Sequence, residues 1–445
     1  MSTVPSTVME SNMERLETAV QNARQKGQPE DLITALAELG NAYLADGDAP
    51  KALTQFEEAI DLAAEMPELA ARLLGMKGKA LTKIGNYHFA AKAYRESRKL
   101  AEAIDHQPLL VDSMVQLGLL EVETGKPMKA IKKLEQAFGY ALNNSFKPRQ
   151  MYIAGKLGGI FLGLDALDKA IEYFAVALQT SQELGNKLAE CSYHLSIGNV
   201  FLSNKEYDVA AEHFEEALNL ASVADDYHAE ISALSNLLKL NIATEKPRMA
   251  LLYGDNVIRL AYETQNHAVE MGNINALATF LLEQGQFQKA LPYLERGLAI
   301  AQAQQDWEWQ LTMLTHLGFA YYNLEQNEQA LASYENALTY AQQLVDQAAE
   351  AVLHGRIGAV QAELGDYAAA ARSAEKSLAL AKQLDNQPLV GEQEISLVFV
   401  YADWGQLDKA VAYCETAVAT FESLADTEMT EKAQALLADL QAQAQ

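Results

Sequence analysis

The stretch YIAGKLGGIFLGLD, Tyr152 to Asp165, carries four glycines in nine residues, Gly155, Gly158, Gly159 and Gly163, with Lys156 beside the first. Bare backbone N–H groups next to a lysine are the chemistry of a loop that cradles phosphate. Such a loop needs Gly-Lys followed by Ser or Thr at the end of a strand. Leu157 follows the lysine here and no strand pattern precedes it, so phosphate chemistry is set aside. The eight histidines are scattered, with no HExxH, no GxSxG and no Cys/His cluster. Asp46, Asp48 and Glu57 are calcium-ligand types, but Pro50 and Lys51 stand in the wrong places for a calcium loop. His194, His316 and His354 are read as structural histidines with satisfied ring nitrogens. The expectation is a chain that is not an enzyme and uses no cofactor and no metal.

Composition narrows the partners. The 445 residues hold 34 Lys and Arg against 60 Asp and Glu, a formal net charge of -26. Such a surface repels DNA and anionic lipid as a whole. Two cysteines, Cys191 and Cys414, exclude a disulfide framework and point to a reducing compartment. The start, MSTVPSTVMESNMERLE, has no apolar core for a signal peptide. Apolar runs such as ISLVFVYA, residues 395–402, are too short to cross a bilayer. A cytoplasmic location is expected.

The glycine stretch has to be placed on an element, and a repeat supplies the register. Alanine stands at 52, 90, 130, 170, 210, 250, 290, 330, 370 and 410, a first step of 38 followed by eight of 40. Twelve residues earlier the residue is small in most copies, as at Gly40, Gly78, Gly118, Gly158, Gly198, Gly318 and Gly358. Four residues later it is usually large and apolar, as at Phe56, Tyr94, Leu134, Phe174, Phe214 and Tyr334. These offsets put the positions on one face of a helix, and small against large lets paired helices interdigitate. Breakers such as Gly47-Asp48, Gly85-Asn86 and Gly365-Asp366 separate a helix A from a helix B. Pro108, Pro148 and Pro388 recur where helix A should begin. The pattern predicts an all-α protein, with Gly158 inside helix A of the fourth repeat.

The segments LGNAYLADGDAPKALTQFEEA, residues 39–59, and LGFAYYNLEQNEQALASYENA, residues 317–337, resemble the tetratricopeptide repeat (TPR). Its usual unit is 34 residues, and the 40-residue form is similar to the repeats of kinesin light chains and of Pins/LGN adaptors. The resemblance covers roughly residues 28–426 and implies a right-handed α-solenoid of about ten helix-turn-helix repeats. The expected divisions are 28–66, 67–106, 107–146, 147–186, 187–226, 227–266, 267–306, 307–346, 347–386 and 387–426. A disordered segment over 1–12, a capping helix over 13–27 and another over 427–445 complete the expectation.

By that resemblance the A helices line a concave groove that binds a protein partner. The candidate lining is Asn41, Arg72, Lys79, Lys83 and Leu119, then Tyr152, Gly155, Lys156, Gly159 and Asn199. It continues through Lys239, Asn275, Phe319, Asn323 and Phe399, with Tyr152, Phe319 and Phe399 as aromatic anchors. Residues 72–156 hold 15 Lys and Arg against 7 Asp and Glu, a basic third in an acidic chain that could orient a partner. Gly155, Gly159 and Gly163 share one face, which either meets a close-packed neighbour or leaves room for a bound segment. Asparagines like those with which Pins/LGN proteins grip an extended peptide stand only at Asn41 and Asn199. Repeat six departs from the pattern, with Leu238 at the small position and Gly254 at the large one, as a hinge or as a compensating exchange.

The expected function is a non-catalytic scaffold or adaptor that holds a peptide or helix of a protein partner, with self-association left open. A sensor of a peptide or small ligand is the alternative, and RNA binding along the repeats is a minor one.

Overall fold

A computed structural model of the chain describes residues 6–443. The first helices are α1 (Ser6–Lys26), α2 (Pro29–Asp46), α3 (Ala49–Leu62), α4 (Pro67–Lys83), α5 (Tyr87–Ala103) and α6 (Gln107–Glu123). Then come α7 (Pro127–Asn143), α8 (Lys147–Gly163), α9 (Leu167–Glu183), α10 (Lys187–Ser203), α11 (Tyr207–Val223) and α12 (Tyr227–Ala243). They are followed by α13 (Pro247–Glu263), α14 (His267–Glu283), α15 (Phe287–Ala303), α16 (Trp307–Asn323) and α17 (Asn327–Gln343). The last are α18 (Gln347–Glu363), α19 (Tyr367–Gln383), α20 (Gln387–Asp403), α21 (Leu407–Ser423) and α22 (Thr427–Gln443). No strand occurs among the described residues.

The chain divides into two compact units within α12, one up to Ala233 and one from Leu234 on. Each is a segment of α-solenoid in which helices pack on their neighbours in sequence, as α4 on α5 and α8 on α9 in the first, and α16 on α17 and α18 on α19 in the second. Successive A helices touch as well: α2 with α4, α4 with α6 and α6 with α8 in the first unit, α14 with α16 and α18 with α20 in the second. The first repeat step of 38 has a local cause: α3 is 14 residues long where the helices from α4 onward have 17, and the turn after it, 63–66, is one residue longer than the later ones. α1 starts at Ser6, so the expectation of a disordered 1–12 is corrected for residues 6–12, which are helical. Residues 1–5 lie outside the described residues.

Local chemistry fixes the turns. From Gly85 to Ala425 one residue with positive φ recurs every 20 residues. Glycine takes that place only in part; Asp105, Lys205, Glu245 and Val345 adopt it too. Helix starts are capped where an Asp or Asn side chain accepts the backbone N–H three residues on, as Asp48 does from Lys51 and Asp366 from Ala369. Such a cap contributes about 1 kcal/mol. Pro108, Pro148 and Pro388 stand one residue inside α6, α8 and α20, within the first turn where no N–H partner is lost.

The small-to-large exchange is direct. A Cβ at Gly78 would lie 2.4 Å from the Tyr94 ring, and one at Gly158 would lie 2.7 Å from Phe174. The aromatic of helix B fills the space that the missing side chain of helix A leaves. In repeat six Leu238 is fully buried, and Gly254 is instead approached by Leu277 of α14.

Candidate functional site

The basic third forms a hollowed surface on the first unit. Three hollows open on the A-helix face of α4, α6 and α8. The first, about 430 Å³, is bounded by Arg72 and Lys79 of α4, Asp112 and Gln116 of α6, and Arg149 and Tyr152 of α8. A second, of about 460 Å³, takes in Lys79, Lys83, Gln116, Leu119 and Glu123. The third, about 780 Å³, lies over Leu119, Glu123, Gly155, Lys156, Gly159 and Gly163. Lys79 and Gln116 belong to the first two and Leu119 and Glu123 to the last two, so the hollows adjoin.

Their electrostatics separate fixed from uncommitted charge. Arg149 donates two hydrogen bonds to Asp112, both at 2.8 Å, which ties α8 to α6. Arg72 is paired with Glu68 one helical turn before it. Lys79 and Lys83 are exposed and have no ion-pair partner among the described residues. The Lys156 ammonium lies 5.3 Å from the centre of the Tyr152 ring. Tyr152 is 43% exposed, and burial of the rest of the ring raises its phenol pKa, so the hydroxyl stays a neutral donor and acceptor. Tyr94, behind the first hollow, is pushed up to about 12 by burial.

The glycine face resolves residue by residue. At Gly155 a Cβ would meet Tyr193 of α10, with Cε1 at 2.7 Å and the hydroxyl at 2.8 Å, which is close packing of a neighbouring helix. At Gly159 and Gly163 nothing lies within 4 Å of the Cβ position. Those two glycines face the third hollow.

Of the candidate lining, Arg72, Lys79, Lys83, Leu119, Tyr152, Gly155, Lys156 and Gly159 come together on these hollows. Asn41 and Asn199 do not; the Asn41 amide instead lies 3.8 Å from the Met76 sulfur. In the second unit Lys239 and Phe399 are exposed, and the Asn275 Oδ1 is buried without a partner. The Asn323 amide is spent on the Phe319 carbonyl of its own helix, at 2.8 Å. Phe319 is half-buried: Phe287 meets it edge-on at 5.9 Å, and Arg356 covers it at 5.7 Å. It is a packed ring more than a free anchor.

The histidine expectations divide. His194 pairs with His213, Nδ1 to Nδ1 at 2.9 Å. His316 is not satisfied, because its Nδ1 is buried and unpartnered. The calcium-type residue Asp48 is a helix cap. No group of three or more His, Cys, Asp or Glu among the described residues is placed to hold a metal.

Sequence reading missed Arg149 and Gln116. Arg149 precedes Tyr152 by three residues, which places both on one helix face, so the signal was present. Gln116 stands three residues before Leu119 in the same way.

Stacked helix pairs with a 40-residue period and small-to-large interlocking define a helical-repeat protein. Tetratricopeptide repeat family models match residues 37–104 and 115–184, residues 274–303, and residues 309–383, together more than half of the chain. The chain belongs to the tetratricopeptide repeat proteins. Among solved structures it is similar to the apo form of RapI, at 13% identity and a TM-score of 0.56 over 80% of this chain and 99% of that one. That likeness shows the fold alone. It is also similar to aspartyl phosphate phosphatase F from Bacillus subtilis, at 13% identity and a TM-score of 0.46 over 78% of this chain and 93% of that one. BtubC (BKLC) from P. vanneervenii matches at 17% identity and a TM-score of 0.44 over 49% of this chain and 92% of that one. No curated protein matches the sequence. No helix among the described residues is long and apolar enough to cross a membrane.

Proposed function

We propose that the chain is a non-catalytic protein-interaction scaffold, and that a peptide or helical segment of a protein partner lies across the A-helix face of α4, α6 and α8. The observation that carries this reading is the run of three adjoining hollows with two uncommitted cations, Lys79 and Lys83, and an open floor at Gly159. A segment crossing that face meets apolar surface at Leu119 and Ile160, a polar-edged aromatic at Tyr152, and positive charge on α4. Aromatic and cationic groups of this kind supply most of the binding energy at protein interfaces. The charge sets the direction in which the segment lies and the rate of encounter.

Affinity capture from native lysate, wild type beside a Tyr152→Ala, Gly159→Leu double variant, tests the reading. A protein recovered by the wild type and lost from a folded variant is the expected result. Equal recovery by both would move the interaction off this face and refute the proposal.

A further inference from the structure

Arg356 is the one Lys or Arg between residues 297 and 371, a stretch that also holds nine Asp and Glu. None of those carboxylates bonds to it, and it has no ion-pair partner among the described residues. Its guanidinium lies instead on two rings, 5.7 Å from the centre of Phe319 on α16 and 5.8 Å from that of Tyr334 on α17. Phe319 is held in turn by Phe287 of α15. Stacking on rings covers the faces of a guanidinium; one N–H of Arg356 is directed to the Tyr334 hydroxyl, and its other N–H groups have no acceptor among the described residues. The side chain is half-buried, so part of its hydration is already lost without a counter-charge in return. Beside it stands His316 of α16, with its buried Nδ1 unpartnered. Burial and then the positive charge of Arg356 lower the His316 pKa. A cation fixed in place, partly desolvated and left unpaired amid an excess of acids is an arrangement that an added anion would complete.

We propose that Arg356, seated on Phe319 and Tyr334, is a binding site for a single carboxylate. One guanidinium balances the single charge of one carboxylate group, whereas a phosphate dianion concentrates two charges on one group and would need a second cation, and neighbouring α16 and α17 carry none. The carboxylate comes either from an acidic side chain of a bound peptide or from a free small acid. The site lies in the second unit and does not depend on the hollows of α4, α6 and α8.

His316 reports occupancy, because an anion on Arg356 removes the positive field that depresses its pKa. The full chain, labelled at histidine, is titrated by NMR at constant ionic strength with the blocked peptide acetyl-Glu-Asp-Glu-amide and, separately, with succinate. Inorganic phosphate and chloride serve as controls, and His316→Gln assigns the resonance. The expected result is a saturable His316 shift, with its titration midpoint moving up, that disappears in Arg356→Gln and weakens several-fold in Arg356→Lys, where charge remains without the planar fork. A response to the peptide alone assigns the site to a protein segment; a response to succinate assigns it to a small acid. No response to either probe at millimolar concentration would overturn the proposal. So would a response equal to that of the controls, or one kept in Arg356→Gln.

Discussion

The hydroxyl of Tyr193 donates to the backbone carbonyl of Met151 at 3.1 Å, across the space that Gly155 leaves by having no side chain. Three glycines of one helix face therefore do different things. Gly155 admits a neighbouring helix, whereas Gly159 and Gly163 have no packing partner to explain them. Gly155→Ala must displace Tyr193 and is expected to destabilise by about 1–3 kcal/mol. Gly159→Ala meets nothing and should stabilise by up to about 1 kcal/mol, the helix penalty of glycine. Gly163, the last residue of α8, should gain less. Thermal melts of the single variants check the order; equal losses at Gly155 and Gly159 would contradict it.

Gly158→Ala puts a methyl group 2.7 Å from Phe174, a ring that is almost fully buried and must shift to admit it. The expected loss is again about 1–3 kcal/mol. The paired change Gly158→Ala with Phe174→Leu should recover part of it, since the smaller residue frees the clash. Denaturant midpoints of the two singles and the double give the coupling, and strict additivity would remove the small-to-large account of the repeat.

Glu270 is fully buried in α14, where the Arg296 guanidinium of α15 reaches its Oε1 at 2.6 Å. Arg296→Leu leaves that carboxylate without its main cation, with His267 Nδ1 at 3.4 Å the remaining neighbour. Because Arg296 is itself 40% exposed, the expected loss lies at the lower end of roughly 3–5 kcal/mol. Arg296→Leu together with Glu270→Leu should be milder than Arg296→Leu alone. Calorimetric unfolding of the two variants measures this.

The His194 and His213 rings meet between α10 and α11, and Phe201 stacks on His213. Burial lowers both pKa values, with Glu216 and Glu190 opposing at His194 and Glu212 at His213. At His213 the neighbouring His194 lowers the value further. A histidine whose folded pKa is lowered contributes stability above its ordinary pKa of about 6.5, and that stability is lost as pH falls through it. Hydrogen exchange of α10 and α11 should therefore accelerate on acidification more than that of α4 and α5. His213→Asn should flatten the difference; an unchanged profile would exclude the pair as its source.

Val345 holds φ 58° in the turn after α17 and is 76% exposed. A β-branched residue is poorly suited to that region, where asparagine is tolerated. Val345→Asn is expected to raise stability by about 1 kcal/mol. A fall in melting temperature would show that the valine side chain packs to more purpose than its exposure implies.

Much of this architecture is legible in the chain. The alanine period and the glycine twelve residues before it place the helix pairs, because each records a contact within one repeat that recurs in the same register. The candidate surface is legible only where a side chain belongs to one helix face, as with Arg72, Lys79 and Lys83 on α4. Contacts between repeats leave no such signal. Tyr193 reaching Gly155, Phe287 against Phe319, and Arg356 over Phe319 depend on how successive pairs are offset. Periodicity does not report that offset. The turns show the opposite failure, since twelve residues other than glycine adopt positive φ there and so carry none of the usual glycine marking.

The central claim is that a protein segment lies over the face of α4, α6 and α8. A peptide library selected on the purified full chain supplies binders, whose affinity for wild type and for Gly159→Leu is then measured by calorimetry. Nothing lies within 4 Å of a Cβ at residue 159, and the introduced isobutyl group extends from there toward the third hollow. The account predicts at least a tenfold loss of affinity, equivalent to about 1.4 kcal/mol, with a melting temperature at or above that of the wild type, since leucine removes the helix penalty of glycine. Equal affinity for both proteins would contradict it.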